Sequence, residues 1–300
     1  MMGTPISILG MATAQASADG ALADEMLCPE RRAPSVGAIN VQSRMVTHAL
    51  RQCLSNHARP GATEIGLCLG TAHGVNATVR RTLNTVRDQG FLHVPASLYA
   101  TGLPNSTTGV VAGLEQLLGP NLTFLGYLSG LESLIMACRL IRWGQAASMI
   151  AGGFDTPSPD MASPDMASPA PAQTRRATLS GAGLVLLSKA NGSDDGAPKI
   201  VGWASDEKPE AASESQLVDS ALAHAGRDRA DLIDTIALAP DAQTPDYLAA
   251  TFPIRLINFI RKTQAPGLHA FTAQKAGEKA ICVLVDIDKP ESDTRQGLQA

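Results

Sequence analysis

The chain has 300 residues, 44% of them hydrophobic and 17% charged. It is long enough for one large domain or two coupled halves around a sizeable core, and its composition excludes a disordered chain. With 24 basic and 28 acidic residues the net charge is −4. Basic residues adjoin only in pairs such as Arg80-Arg81 and Arg175-Arg176, so the basic face that a nucleic-acid surface needs is not expected. No apolar run approaches the ~18 residues of a membrane span.

In chain order, "PISILGM" (5–11) reads as a first strand. The segment that contains it lacks the positive start of a secretory signal, because the first arginine is Arg31. "VQSRMVTHALRQCLSN" (41–56) places Met45, Ala49, Cys53 and Leu54 at helical spacing. "EIGLCLGT" (64–71) is a buried-strand run. "NATVRRTLNTVRDQG" (76–90) is an amphipathic helix closed by Gly90. "STTGVVAGLEQLLG" (106–119) is a small-residue helix, with Ser106 expected as its cap and Gly119-Pro120 as its stop. There follows a strand-turn-helix-strand unit: strand 121–126, helix 130–143, a stop at Gly144 and strand 147–151.

Residues 156–176 differ in kind. Five prolines and the duplicated Ser-Pro-Asp-Met-Ala at 158–162 and 163–167 predict a surface loop. Regular patterning returns at 183–188, 198–205, 215–226, 233–240, 245–262 and 279–287, and the polar stretch 289–300 is expected to be disordered. Continuous apolar strands alternating with helices predict an α/β protein whose sheets are covered on both faces.

Five cysteines (Cys28, Cys53, Cys68, Cys138, Cys282) are scattered without C-x-x-C spacing. Zinc and dithiol chemistry are therefore not expected, and buried reduced thiols suit a cytoplasmic protein.

The order of these motifs resembles the β-ketoacyl synthases of the thiolase superfamily. "ISILGMATA" is similar to the family's first strand and turn, and "PNSTTGVVAGLEQLLGPNLTF" to the helix and strand that precede its nucleophile. "LSGLESLIMACRLIRWGQAASMIAGG" is similar to the nucleophile helix and the following strand. "LSGAGLVLLSK" resembles the return to the sheet, and "LVDSALAHAGRDRADLIDTIALAP" the second-half helix and strand. The resemblance implies a thiolase-like fold of two related βαβ-type halves in a five-layered α-β-α-β-α arrangement. The first half would be 1–190 and a shortened second half 191–288.

The resemblance also locates what is missing. "GYLSGL" aligned on the nucleophile turn puts Tyr127 where the family has its cysteine. The first catalytic histidine falls near Ala239, and the second has no counterpart. A phenol with a pKa of about 10 is protonated at neutral pH and carries acyl groups poorly. The pattern resembles chain-length factor subunits. These imply a non-catalytic partner that heterodimerises with an active ketosynthase and shapes its acyl tunnel in polyketide, polyene or fatty-acid-like biosynthesis. An acyl carrier protein would be met transiently through the complex, without cofactor or metal.

By the same resemblance Asn121, Leu122, Thr123, Phe124, Leu125 and Gly126 form the dimer interface. Thr107, Thr108, Val110, Val111, Leu114, Leu117 and Tyr127 line the tunnel, with Gly109, Ala112 and Gly113 leaving space and Leu114 and Leu117 placed to close it. Two other readings stay open. One is an enzyme with a repurposed group, Tyr127 as acid or Ser129 as nucleophile. The other is an acyl- or CoA-binding homodimer. Ser129 is one position late for a G-x-S-x-G elbow and is expected as a helix-start cap. His73 and His269 are the remaining candidate site histidines, with packing or surface roles favoured because no base or carboxylate pairs with them in the sequence.

Overall fold

The computed structural model describes residues 4–16, 32–33, 37–55, 65–156, 179–191, 196–207, 214–238, 246–263, 265–275 and 279–288. The Pro-rich stretch beyond Thr156, Ala239 and residues 289–300 lie outside the described residues. The strands are β1 (Ile6–Gln15), β2 (Arg32–Ala33), β3 (Gly37–Ala38), β4 (Ile65–Thr71), β5 (Asn121–Leu125), β6 (Ser148–Asp155), β7 (Gly181–Lys189), β8 (Lys199–Asp206), β9 (Leu232–Ala237), β10 (Gly267–Lys275) and β11 (Lys279–Ile287). The helices are α1 (Val41–Leu54), α2 (Asn76–Gln89), α3 (Ala96–Thr101), α4 (Ser106–Glu115), α5 (Ser129–Arg142), α6 (Glu214–Ala225) and α7 (Thr251–Lys262).

Nine strands run in the order β5-β4-β6-β7-β1-β8-β11-β10-β9. The seam between the first five and the last four is narrow: β1 meets β8 through Ile6 opposite Ile200 and Ser7 opposite Lys199. Side-chain alternation then sorts the core into three apolar layers. Leu67, Leu69, Leu184 and Leu186 face α1 and α4 on one outer side. Cys68, Met149, Ala151, Val185 and Leu187 face inward onto α5 and α7. From the other half, Phe271, Ile281, Val283 and Val285 reach the same central layer, while Ala270, Cys282 and Leu284 pack under α6. The result is helix, sheet, helix, sheet, helix, the expected thiolase-like layering.

One irregularity serves this layering. β1 pairs Ile8 with Leu187 and Gly10 with Leu186, so Leu9 and Gly10 share one partner residue. The extra residue switches which parity faces which side. Ile6 and Ile8 point into the central layer, whereas Ala12 and Ala14 point to the outer one.

Several boundaries differ from the sequence reading. The small-residue helix ends at Glu115 because Gln116 adopts φ 55°, a left-handed stop ahead of Gly119-Pro120. Gly119 and Pro120 instead bond to β4: the Gly119 N–H donates to the Ile65 carbonyl, and the Leu67 N–H to the Pro120 carbonyl. Ser106 is not the cap. It is the first helical residue, after Asn105, and its hydroxyl donates to the Thr101 carbonyl. The strand expected at 147–151 runs on to Asp155. The segment 245–262 starts as a 3-10 turn over Leu248–Ala250 and becomes α7 at Thr251. Pro253 is tolerated there because first-turn N–H groups lack helical acceptors in any case.

Candidate functional site

β4, β5 and β6 are parallel, and their C-terminal ends converge on the start of α5. The chain leaves β5 through Gly126, whose φ of 132° is open to glycine and strained for other residues. It turns at Tyr127 and Leu128 and enters α5 at Ser129. This is the geometry of a nucleophile turn: a side chain presented ahead of a helix N-terminus, where unpaired N–H groups favour an anion.

Tyr127 holds that position and is already engaged. Its hydroxyl donates to Asp246 Oδ2 at 2.9 Å. Its ring meets Phe252 edge-on with centroids 5.3 Å apart. The Lys275 ammonium lies 5.4 Å from the ring centroid, within cation–π range. Asp246 is itself fixed, because its Oδ1 accepts from the Leu248 N–H at 2.8 Å and from the Thr251 hydroxyl at 2.8 Å. Asp246 was not singled out from the sequence. It lies just past the point where the apolar pattern of the second half breaks down, and no spacing linked it to Tyr127.

Ser129 is fully buried, and its hydroxyl donates to the Gly126 carbonyl at 2.6 Å. Its proton faces a carbonyl rather than a base, and it braces the turn from below. It does not cap α5, whose N-cap is Leu128 without a side-chain bond.

Beneath the turn lies a carboxylate that reads from sequence as an isolated loop residue. Asp155, fully buried at the end of β6, accepts four hydrogen bonds. Oδ1 takes the Thr71 hydroxyl at 2.7 Å and the His73 N–H at 3.0 Å. Oδ2 takes the Ala72 N–H at 2.8 Å and the Ala249 N–H at 3.0 Å. Burial holds its carboxyl above the ordinary carboxylate range, an effect that these four donors offset only in part. Asp155 thereby joins β6, the turn after β4 and the 3-10 turn of the second half. Contacts on the other side are as tight: a Cβ on Gly130 or on Gly153 would lie 2.2 or 2.3 Å from the Ala249 carbonyl oxygen. Only glycine lets these three segments approach so closely.

The other candidates fall elsewhere. His73 belongs to the turn that Asp155 holds, and its backbone makes that bond. His269 is 1% exposed on β10, with Nε2 at 3.0 Å from the Ala265 carbonyl, which makes it the donor, and with its ring packed edge-on against Phe259. Cys53, Cys68, Cys138 and Cys282 are buried, and burial pushes each thiol up to about 12, the opposite of an activated nucleophile. Among the described residues no group of three or more His, Cys, Asp or Glu side chains is placed to hold a metal ion. No described helix is long and apolar enough to cross a membrane.

On α4, Thr107, Thr108 and Val111 are fully buried and Val110 is nearly so, as is Leu117 just beyond the helix. Val111 and Leu117 pack into the outer core layer with α1, while Leu114 rests beside Val110 and Ile39. Thr108 shares a 2.7 Å hydroxyl contact with Thr123 of β5, which fixes the helix to the strand. Gly109 and Gly113 open to space that a Cβ would not fill. β5 is the edge strand, exposed at Asn121 and Leu125 and half-buried between them.

This layering and this turn define a thiolase-like protein, and comparison with known proteins gives the family. The β-ketoacyl synthase N-terminal domain matches residues 12–174. The chain belongs to the β-ketoacyl synthase family. No curated protein matches it in sequence. Among solved structures it is similar to the ishigamide ketosynthase/chain length factor, with 18% identity and a TM-score of 0.75 over 95% of this chain and 100% of that one. A type II polyketide synthase acyl-carrier protein in complex with its ketosynthase bound to the hexaketide is similar at 13% identity and a TM-score of 0.70, over 95% and 99% of the two chains. A β-ketoacyl synthase from Burkholderia phymatum STM815 is similar at 13% identity and a TM-score of 0.69, over 95% and 100%. At these identities the likeness is one of fold.

Proposed function

We propose that the chain is a non-catalytic ketosynthase-like subunit of the chain-length-factor type. It pairs with an active ketosynthase and helps to shape the cavity in which an acyl chain grows, in polyketide, polyene or fatty-acid-like biosynthesis. The observation that carries this reading is Tyr127: the position from which a family member attacks is filled by a phenol bonded to Asp246 and packed on Phe252. The buried Ser129 hydroxyl, bonded to a carbonyl, offers no substitute.

A subunit with no chemistry of its own needs a surface for the one that has it. Among the described residues β5 ends the sheet with an unpaired edge, and such edges invite a second chain. Around it stands a helical arm, α2 to α3, in which α2 buries none of its residues. The arm and its surroundings expose Leu83 (60%), Phe91 (65%), Leu92 (94%) and Leu125 (58%). Apolar exposure on this scale marks an interaction surface. Residues 121–126 are assigned to the subunit contact, and the open face of α4 at Gly109 and Gly113 to the shared cavity. The acyl carrier protein would dock on the assembled complex.

Co-expression with a type II polyketide ketosynthase that carries its cysteine and histidines tests this reading. The two chains are expected to copurify, and Leu125→Asp, at an exposed position, is expected to separate them without unfolding this chain. Condensing activity should appear only with both chains. A chain that stays monomeric beside every such ketosynthase, or that forms a covalent acyl adduct by intact mass when given an acyl thioester alone, refutes it.

A further inference from the structure

At the far end of α5 from Tyr127, a guanidinium is held flat between the two halves. Arg142 is the last residue of that helix. Its Nε donates to the Thr4 carbonyl ahead of β1 at 3.0 Å, and its Nη2 to the Val201 carbonyl of β8 at 3.3 Å. Its Cζ stands 4.2 Å from the ring centroid of the buried Trp203, a cation–π stack. Two carbonyls and a ring face thus fix the plane of the fork. Its Nη1 is directed elsewhere, and lies 3.4 Å from Nε2 of His224.

That contact is not a hydrogen bond. His224 sits on the last turn of α6, with its ring edge-on to Trp203 at 4.5 Å between centroids. Its Nδ1 accepts the Trp203 N–H at 3.2 Å. A neutral imidazole that accepts on one nitrogen carries its proton on the other, so the proton is on Nε2. A guanidinium has donors only. Two N–H donors therefore stand side by side, and neither accepts from the other.

The charge around the pair has one sign. Among the described residues no carboxylate is paired with Arg139, Arg142 or His224. Burial, then Arg142, then Arg139 one turn earlier on α5 hold the His224 pKa below its ordinary value, against the bond from Trp203. The C-terminal ends of α5 and α6 oppose an anion here, each with about half a negative charge, and the two full charges of the arginines outweigh them.

We propose that Arg142 and His224 form a binding site for a phosphate group, free or carried by a small organic molecule. One phosphate oxygen accepts from Arg142 Nη1 and a neighbouring oxygen from His224 Nε2, while Arg139 adds positive charge. Two donors side by side match two oxygens of one oxyanion, and a fork already held in plane loses little freedom on binding. Two arginines without a carboxylate favour a dianion over a carboxylate monoanion. The ligand ties α5 of the first half to α6 of the second. The site is independent of the proposed subunit role, because Arg142 lies about 20 Å along α5 from the turn at Tyr127.

The test uses the full chain with Trp143→Phe, which leaves Trp203 as its one tryptophan. Its fluorescence is followed at pH 8 while inorganic phosphate, glycerol 3-phosphate or acetate replaces chloride at constant ionic strength. At least one of the two phosphates is expected to give a saturable change and to bind about tenfold or more tighter than acetate. A tighter free ion assigns the site to phosphate itself, and a tighter ester to an organic phosphate. Arg142→Gln should weaken binding by about tenfold or more. Arg139→Gln, which removes no hydrogen bond among the described residues, should weaken it by about threefold with an unchanged melting temperature in chloride. This second variant decides the matter if Arg142→Gln fails to fold. Nitrogen NMR of His224, assigned by its loss in His224→Gln, should show the proton on Nε2 and a pKa that rises when phosphate is added. Three outcomes overturn the proposal: a proton on Nδ1, which would make Nε2 an acceptor for Arg142; no saturable change with either phosphate, or affinity no greater than for acetate; and binding unchanged in Arg139→Gln.

Discussion

Replacing Asp155 with Asn alters one atom at the point where the turn after β4, the end of β6 and the 3-10 turn of the second half meet. The side chain accepts from four donors, two on each oxygen. Asn keeps one acceptor oxygen and turns the other into an N–H₂ group that faces two N–H donors. In either orientation two buried donors lose their acceptor, each loss costing about 1–3 kcal/mol. The site is fully buried, so water cannot compensate. The expected cost is about 4 kcal/mol, or roughly 8 °C in melting temperature for a chain of this size. Thermal and urea unfolding of wild type and Asp155→Asn, at pH 7 and one fixed protein concentration, measure it. A loss below about 1 kcal/mol would refute the reasoning, because it would mean that these four bonds do not hold the segments together.

Three further outcomes follow from the same geometry. Tyr127→Phe is expected to cost about 1 kcal/mol through loss of the bond to Asp246, and Tyr127→Ala about 3 kcal/mol once the packing on Phe252 is lost too, both read by urea unfolding. In a Cys28→Ser background, Tyr127→Cys should be alkylated by iodoacetamide at that one thiol, since Cys53, Cys68, Cys138 and Cys282 are buried and hard to ionise. It should still form no β-ketoacyl product when supplied with acyl and malonyl thioesters, and product formation would show that the chemistry needs nothing beyond the thiol. His224 gives a pH dependence: burial and the nearby Arg142 hold its pKa below the ordinary value, and its Nδ1 accepts the Trp203 N–H at 3.2 Å. The unfolded chain takes that proton first, so this contribution is complete above about pH 6.5 and declines as pH falls from there toward the lower folded value. His224→Gln should flatten that part of a stability-versus-pH curve.

The first half was readable because its strands are long apolar runs and its turn carries glycines at marked places. β4, expected at 64–71, is buried at every residue from Ile65 to Thr71. α5, expected at 130–143, spans Ser129–Arg142. The helical arm at 91–101 escaped notice because its apolar residues, Phe91, Leu92 and Tyr99, are exposed and follow no internal period. β10 was weakly patterned because His269, Thr272 and Gln274 interrupt its apolar run. The site was half legible. Tyr127 stood out by its place in the turn, but its partner Asp246 is 119 positions away and Asp155 is 94 positions from Ala249. No local rule links residues so distant in sequence; the topology brings them together.

These long-range ties bear on how the turn ahead of α5 keeps its shape. Gly126 sets the turn, Ser129 braces it, and Gly130 and Gly153 are pressed against the Ala249 carbonyl. Asp155 then holds that same 3-10 segment through the Ala249 N–H. None of these contacts involves the side chain at position 127, so the frame stands whatever that side chain is. The phenol adds one tie of its own, to Asp246 across the two halves. Beyond β9 the described residues add no further strand and no tie between the halves. The turn is held because it forms the junction of the two halves, through contacts that come from the backbone and from residues distant in sequence.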